Sequence, residues 1–114
     1  MADKPGEVQN LLVTDVSRDH VTLTWDAPES DGGAAITSYT IEKCDVSKGS
    51  WFSAGTSDNR TLTFTARRLF EGTEYSFRVA AENKIGVGEF VALAKPVTAK
   101  LPFGKHFEIR FIEE

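Results

Sequence analysis

The sequence predicts an all-β fold, an antiparallel sandwich of two sheets and about seven strands. Three observations carry this. Apolar and polar residues alternate with period two over most of the chain, and turn residues break the alternation at short intervals. No segment carries an apolar stripe at i, i+3, i+4 and i+7 over a helical length. Each alternating run has a single apolar face, so two sheets must close over a shared core.

Taken in order, Leu11 and Val13 mark an early strand. In His20-Val-Thr-Leu-Thr-Trp25, residues Val21, Leu23 and Trp25 fall on one face and His20, Thr22 and Thr24 on the other. Pro28-Glu-Ser-Asp-Gly-Gly33 then reads as a turn, because proline fixes φ and glycine accepts a positive one. Tyr39 and Ile41 face inward between Thr40 and Glu42. Ser47-Lys-Gly-Ser50 and Gly55-Thr-Ser-Asp-Asn59 read as further turns. Thr61-Leu-Thr-Phe-Thr-Ala66 points Leu62 and Phe64 inward. Tyr75, Phe77, Val79 and Ala81 alternate with Ser76, Arg78, Ala80 and Glu82. Gly86-Val-Gly88 is a hairpin turn, and Val97 with Ala99 a last strand.

At 114 residues the chain has the length of one domain able to bury its own core. Lys and Arg number 13 against 17 Asp and Glu, a formal net charge of −4. That sign does not hold a phosphate backbone or an acidic membrane surface, so no nucleic acid is expected as partner. No apolar run approaches the roughly 20 residues that span a bilayer, and no membrane insertion is expected. Cys44 is the single cysteine, which rules out an internal disulfide and favours a reducing compartment.

A search for chemistry returns mostly packing, so neither enzyme activity nor a cofactor or metal is expected. His20 lies beside Asp19 and near Ser17, but neighbours on one strand point to opposite faces, which argues against a relay. Asp26, Glu29 and Asp31 share a loop whose spacing departs from the calcium-loop pattern. Gly86-Val-Gly88 lacks the third glycine, the Lys-Ser/Thr pair and the following helix of a phosphate cradle. Asn59-Arg-Thr61 is a formal glycosylation acceptor that only a secretory compartment would use. There is no Arg-Gly-Asp tripeptide. Cys44, after the third strand, reads as a structural thiol. Trp51 either caps the core edge or offers an aromatic anchor to a partner, and the core edge is favoured. Loops on a rigid sandwich are where binding residues usually sit, which makes Arg60, Lys84 and Glu89 the candidate partner contacts.

The inward residues form a recognisable set: Trp25, Tyr39, Leu69 six positions before Tyr75, then Phe77 and Val79. Over residues 5–102 the chain resembles a fibronectin type III domain, an immunoglobulin-like sandwich. The resemblance implies that Trp25 fills the centre and that the Tyr75 hydroxyl makes a corner hydrogen bond locking the crossing between sheets. Trp25-Asp-Ala-Pro-Glu-Ser-Asp-Gly-Gly33, Ile36-Thr-Ser-Tyr-Thr-Ile-Glu-Lys43, Phe77-Arg-Val-Ala-Ala-Glu-Asn-Lys-Ile-Gly86 and Pro96-Val-Thr-Ala-Lys100 are similar to the type III domains of giant muscle proteins of the titin and twitchin kind. One departure is a single proline after Ala27 where those domains often have two.

The resemblance implies a non-catalytic spacer and weak multivalent binding unit in the sarcomeric cytoplasm. Its implied partners are neighbouring immunoglobulin-like or type III modules and the myosin thick filament. The alternative is a ligand-binding type III module of a cell-surface receptor or adhesion protein. Residues 1–4 are expected to be an extension or residues added for expression. Residues 103–114 form a tail in which Phe107, Ile109 and Phe111 share one face. The tail is expected to begin a neighbouring module, to dock as an extra strand, or to be appended sequence. An exposed apolar strand there, through residues 106–112, would favour a strand-addition dimer.

Overall fold

A computed structural model describes residues 1–102. The tail, its expected strand and the pairing through 106–112 lie outside the described residues, as does His106. The strands are β1 (Gln9–Val16), β2 (Val21–Asp26), β3 (Ser38–Asp45), β4 (Trp51–Asp58), β5 (Thr63–Ala66), β6 (Glu74–Asn83), β7 (Gly86–Val87), β8 (Val91–Ala92) and β9 (Val97–Thr98). One antiparallel sheet has the order β1-β2-β5. The second has the order β4-β3-β6, and β7, β8 and β9 pair in turn along the free side of β6. These last three are pieces of one returning run, whose register slips between Asn83↔Gly86, Val79↔Val91 and Tyr75↔Val97. With them counted as one interrupted strand, the sandwich is the one that the alternation predicts.

The core sits where the inner faces meet. Tyr39, Phe77, Leu23, Ile41, Val21 and Val79 are its largest fully buried side chains. Trp25 is 2% exposed, and its ring lies 5.5 Å from that of Tyr39 at a 59° tilt. Leu62 and Phe64 pack half-buried against this cluster. Burying each such side chain contributes about 1.5–3 kcal/mol, enough to fix which face of every strand turns inward.

Four local readings are corrected. Gly86-Val87 pairs as strand β7 rather than forming the hairpin turn, which is Lys84-Ile85. Gly55-Thr-Ser-Asp belongs to β4 rather than to a turn. The strand slips register opposite Ile41 and Glu42, and Gly55 takes φ 151° at that slip. A Cβ there would fall 2.6 Å from the Phe64 ring, so the glycine serves the close approach of the two sheets. Ala80, on the polar face of β6, is nonetheless fully buried. It shares that face with Arg78 and Glu82, and a lone methyl between two long side chains is easily shielded. Cys44 lies within β3 rather than after it and is buried, in register with Trp51.

The chain enters the sandwich at one end and leaves at the other. At the entry end Gln9 pairs with Asp26, and Ser38 with both Asp58 and Glu82. The N-terminal segment threads over this end, the Asp3 N–H donating to the Gly32 carbonyl at 2.7 Å and the Gly6 N–H to that of Ser30 at 3.0 Å. Gly32 has φ 80°, and any Cβ would collide with the carbonyl oxygens of Asp3 and Lys4. At the exit end Val16 pairs with Val21, and Tyr75 with Asp45 and Val97. There the Ala99 N–H donates to the Thr73 carbonyl at 3.1 Å, and the Gly72 N–H to that of Ala99 at 2.8 Å.

Candidate interaction surfaces

Strand direction gathers Arg60, Lys84 and Glu89 at the entry end, all exposed. Arg60 lies in the turn after β4, which Asp58 organises by accepting from the Arg60 N–H at 2.9 Å and from the Thr61 hydroxyl at 2.8 Å. The Thr61 hydroxyl, and after it the Arg60 N–H, hold the Asp58 carboxyl below the usual carboxylate range. Asn59, the formal glycan acceptor, is exposed in the same turn.

Lys84 occupies the β6–β7 turn, anchored from within by Asn83. Asn83 is a buried polar side chain, 2% exposed. Its amide donates to the carbonyls of Asp3 at 2.7 Å and Asp31 at 2.8 Å, and its side-chain oxygen accepts from the N–H groups of Ile85 and Gly86. One side chain thus ties together the incoming segment, the 27–37 loop and the hairpin. The pattern of alternation does not reveal this role, because it marks only position 83 as inward.

The outer face of the second sheet carries a stacked group that the sequence reading missed. The Arg78 guanidinium lies 4.4 Å from the ring centroids of both Trp51 and Phe90. Its Nε donates to Glu42 at 2.7 Å, and Glu42 stands opposite it in register. Trp51 is therefore part of an outer stack and not of the core edge. A cation between two rings, held by a half-buried carboxylate, fixes all four side chains. The available signal was an arginine in mid-strand between core residues, Phe77 and Val79; only the strand order sets it across from Glu42.

At the exit end the Phe70 N–H donates to the Tyr75 hydroxyl at 2.9 Å. Leu69, one residue earlier, is buried. His20 lies in the β1–β2 turn rather than in a strand, which frees it to meet its neighbour. Its Nδ1 is 2.8 Å from Asp19 and its Nε2 3.2 Å from Asp15. The argument from strand faces thus fails for Asp19, yet both ring nitrogens are occupied by carboxylates and neither faces a nucleophile. A cleft of about 450 Å³ beside the ring is lined by Asp19, His20, Arg67 and Arg68. Among the described residues no group of three or more His, Cys, Asp or Glu is arranged to hold a metal, and no helix is long and apolar enough to cross a membrane. Burial pushes the Tyr39 phenol up.

Residues 6–96 match the family model of the fibronectin type III domain. The chain is 36% identical to Drosophila melanogaster titin over 103 residues, 90% of this chain and 1% of that protein. It is 42% identical to human slow-type myosin-binding protein C over 93 residues, 82% of this chain and 8% of that protein. It therefore spans a small fraction of the relatives it matches. A crystal structure of titin domains superposes with a TM-score of 0.80 at 42% identity, over 87% of this chain and 33% of that one. With the broken return strand, the Tyr75 corner and these likenesses together, the chain belongs to the fibronectin type III family and within it is similar to domains of muscle proteins.

Proposed function

We propose that residues 5–102 act as a non-catalytic spacer and weak protein-binding module of a giant sarcomeric filament protein. The observation that carries this reading is the pair of likenesses above. Most of this chain matches a small part of titin and of myosin-binding protein C, as one unit in a long series would. The second relative's name says that it binds myosin, and the myosin thick filament is the proposed partner here, beside neighbouring modules of the same chain. The entry segment bound to Asn83 suits a spacer, because it fixes the direction from which the preceding chain arrives. Arg60, Lys84 and Glu89 are the proposed contacts. Each exposed charge contributes less than about 1 kcal/mol, so useful binding requires many modules acting together.

The test is the location of a fluorescent tandem of two copies in cultured muscle cells. Regular stripes over the thick filaments, absent with an unrelated type III tandem, are expected. Diffuse signal would overturn the thick-filament assignment. A second reading, a cell-surface module, is favoured by the exposure of Asn59 in its turn. Glycan on Asn59 in the native protein, read by mass spectrometry, would establish secretory passage and replace the sarcomeric reading.

A further inference from the structure

The two long sides of the sandwich close differently. On the side of β4 and β5 the Phe64 ring sits against Gly55, and the sheets meet closely. On the other side β1 borders one sheet and the β9 run borders the second, and among the described residues neither outer edge is paired. Between them lies a groove of about 580 Å³. Val13 and Val16 line it from β1, and Val97, Leu101 and Pro102 from the last run. All five are half-buried, and the three valines pack against the core cluster. The core therefore reaches solvent along this side. Asp15, which faces His20, and Lys100 are the charged groups of the lining.

The course of the chain is a second observation. Pro102 itself lines the groove, and residues 103–114 follow it. In that segment Phe107, Ile109 and Phe111 alternate with Glu108 and Arg110, the period of an extended chain. Residues 106–112 would span about 23 Å when extended, against about 26 Å for the eight residues of β1. Gly104, third in Pro102-Phe-Gly-Lys105, can take the positive φ of a type II reversal. The β9 run and β1 both head for the exit end, so a segment turning back there runs antiparallel to β1.

We propose that residues 103–114 turn back at Gly104 and lie along this groove, with Phe107, Ile109 and Phe111 set over Val13, Val16 and Val97. The contact is burial of apolar side chains rather than a long ladder, because β1 slips register at Gln9/Leu12 and Val13/Asp15. Glu108 and Arg110 then face water. The occupant is the chain's own tail because it starts at the groove, with an effective concentration of about 1 mM that a second copy in dilute solution does not match. Docked, the tail brings residue 114 beside the entry end. A segment continuing beyond it would leave next to the point of arrival, and with the tail released it would leave at the far end. The groove sets the direction of exit as Asn83 sets that of entry.

The test is nitroxide broadening of amide signals in the whole chain. Cys44 is buried, so a cysteine introduced on the outward side of the tail is labelled selectively. With the label at Glu108→Cys, the signals of Val13, Asp15 and Thr98 should lose most of their intensity, and those of Asn59 and Arg60 little. With the label at Glu113→Cys the loss should move to Gln9 and Asn10, leaving Lys48 and Gly49 intact. Adding Phe107→Asp and Phe111→Asp should restore Gln9 and Asn10 while the shifts of β6 stay in place, which separates release of the tail from damage to the fold. Labelled chain mixed with unlabelled, isotope-enriched chain should broaden nothing. A Glu113 label that acts at the exit end, or thinly over the whole surface, overturns the proposal. Broadening that passes between chains in the mixture overturns it too, and assigns the groove to the tail of a second copy.

Discussion

The Tyr75 hydroxyl accepts the backbone N–H of Phe70 at 2.9 Å, tying the loop that leaves the first sheet to the strand that begins in the second. Tyr75→Phe keeps the ring and removes the acceptor. The N–H is partly buried, so the loss should be about 1–2 kcal/mol in urea unfolding, with m unchanged. An unmoved midpoint would show that the bond adds nothing to the crossing.

Asn83→Ala removes four hydrogen bonds at once. We expect a loss of about 2–3 kcal/mol, since two carbonyls and two N–H groups lose their partner. Amide exchange should speed up most at Asp3, Gly6 and Gly86, ahead of the core strands. Uniform acceleration across the chain would instead mean that Asn83 supports only global stability.

Arg78 is held by shape as well as charge. Arg78→Lys keeps the charge but loses the planar stack on Trp51 and Phe90, and should cost about 1–2 kcal/mol. A double-mutant cycle with Trp51→Leu should give a coupling of at least about 0.5 kcal/mol. Additive effects would show that the stack is mere proximity.

The Asp58 carboxyl, depressed first by the Thr61 hydroxyl, gives a pH signature. A folded-state value below the unfolded one adds stability above the unfolded value, and this is lost as pH falls through the folded one. Thr61→Val should therefore raise the Asp58 midpoint in an NMR titration and flatten the acid side of the stability curve. A midpoint that stays put would assign the depression to the backbone N–H groups of Arg60 and Thr61 and the Arg60 charge.

Period-two alternation was enough to place Val21, Leu23 and Trp25 on one face, because a strand offers only two faces and one of them is wet. It could not reach the Arg78 stack. Trp51, Phe90 and Arg78 are joined by the order of strands in the sheet, which local pattern does not specify. Gly55 was misread because a glycine serving a close approach looks, in sequence, like one serving a turn. His20 was misjudged because strand geometry was applied one residue too early. Arg60, Lys84 and Glu89 share an end because strands reverse direction, yet nothing local marks them as contacts.

The interrupted return strand has a consequence for crowding. An intact outer strand would offer a continuous row of free N–H and carbonyl groups to any similar edge nearby. Here the row is cut into β7, β8 and β9 with slipped register, and β1, at the edge of the other sheet, is itself irregular at Gln9/Leu12 and Val13/Asp15. The remaining edges are β5, only four residues long, and β4, whose pairing slips register at Gly55, so among the described residues no edge gives a long regular template for zippering. Similar domains can therefore be packed side by side at high local density and still remain separate folding units.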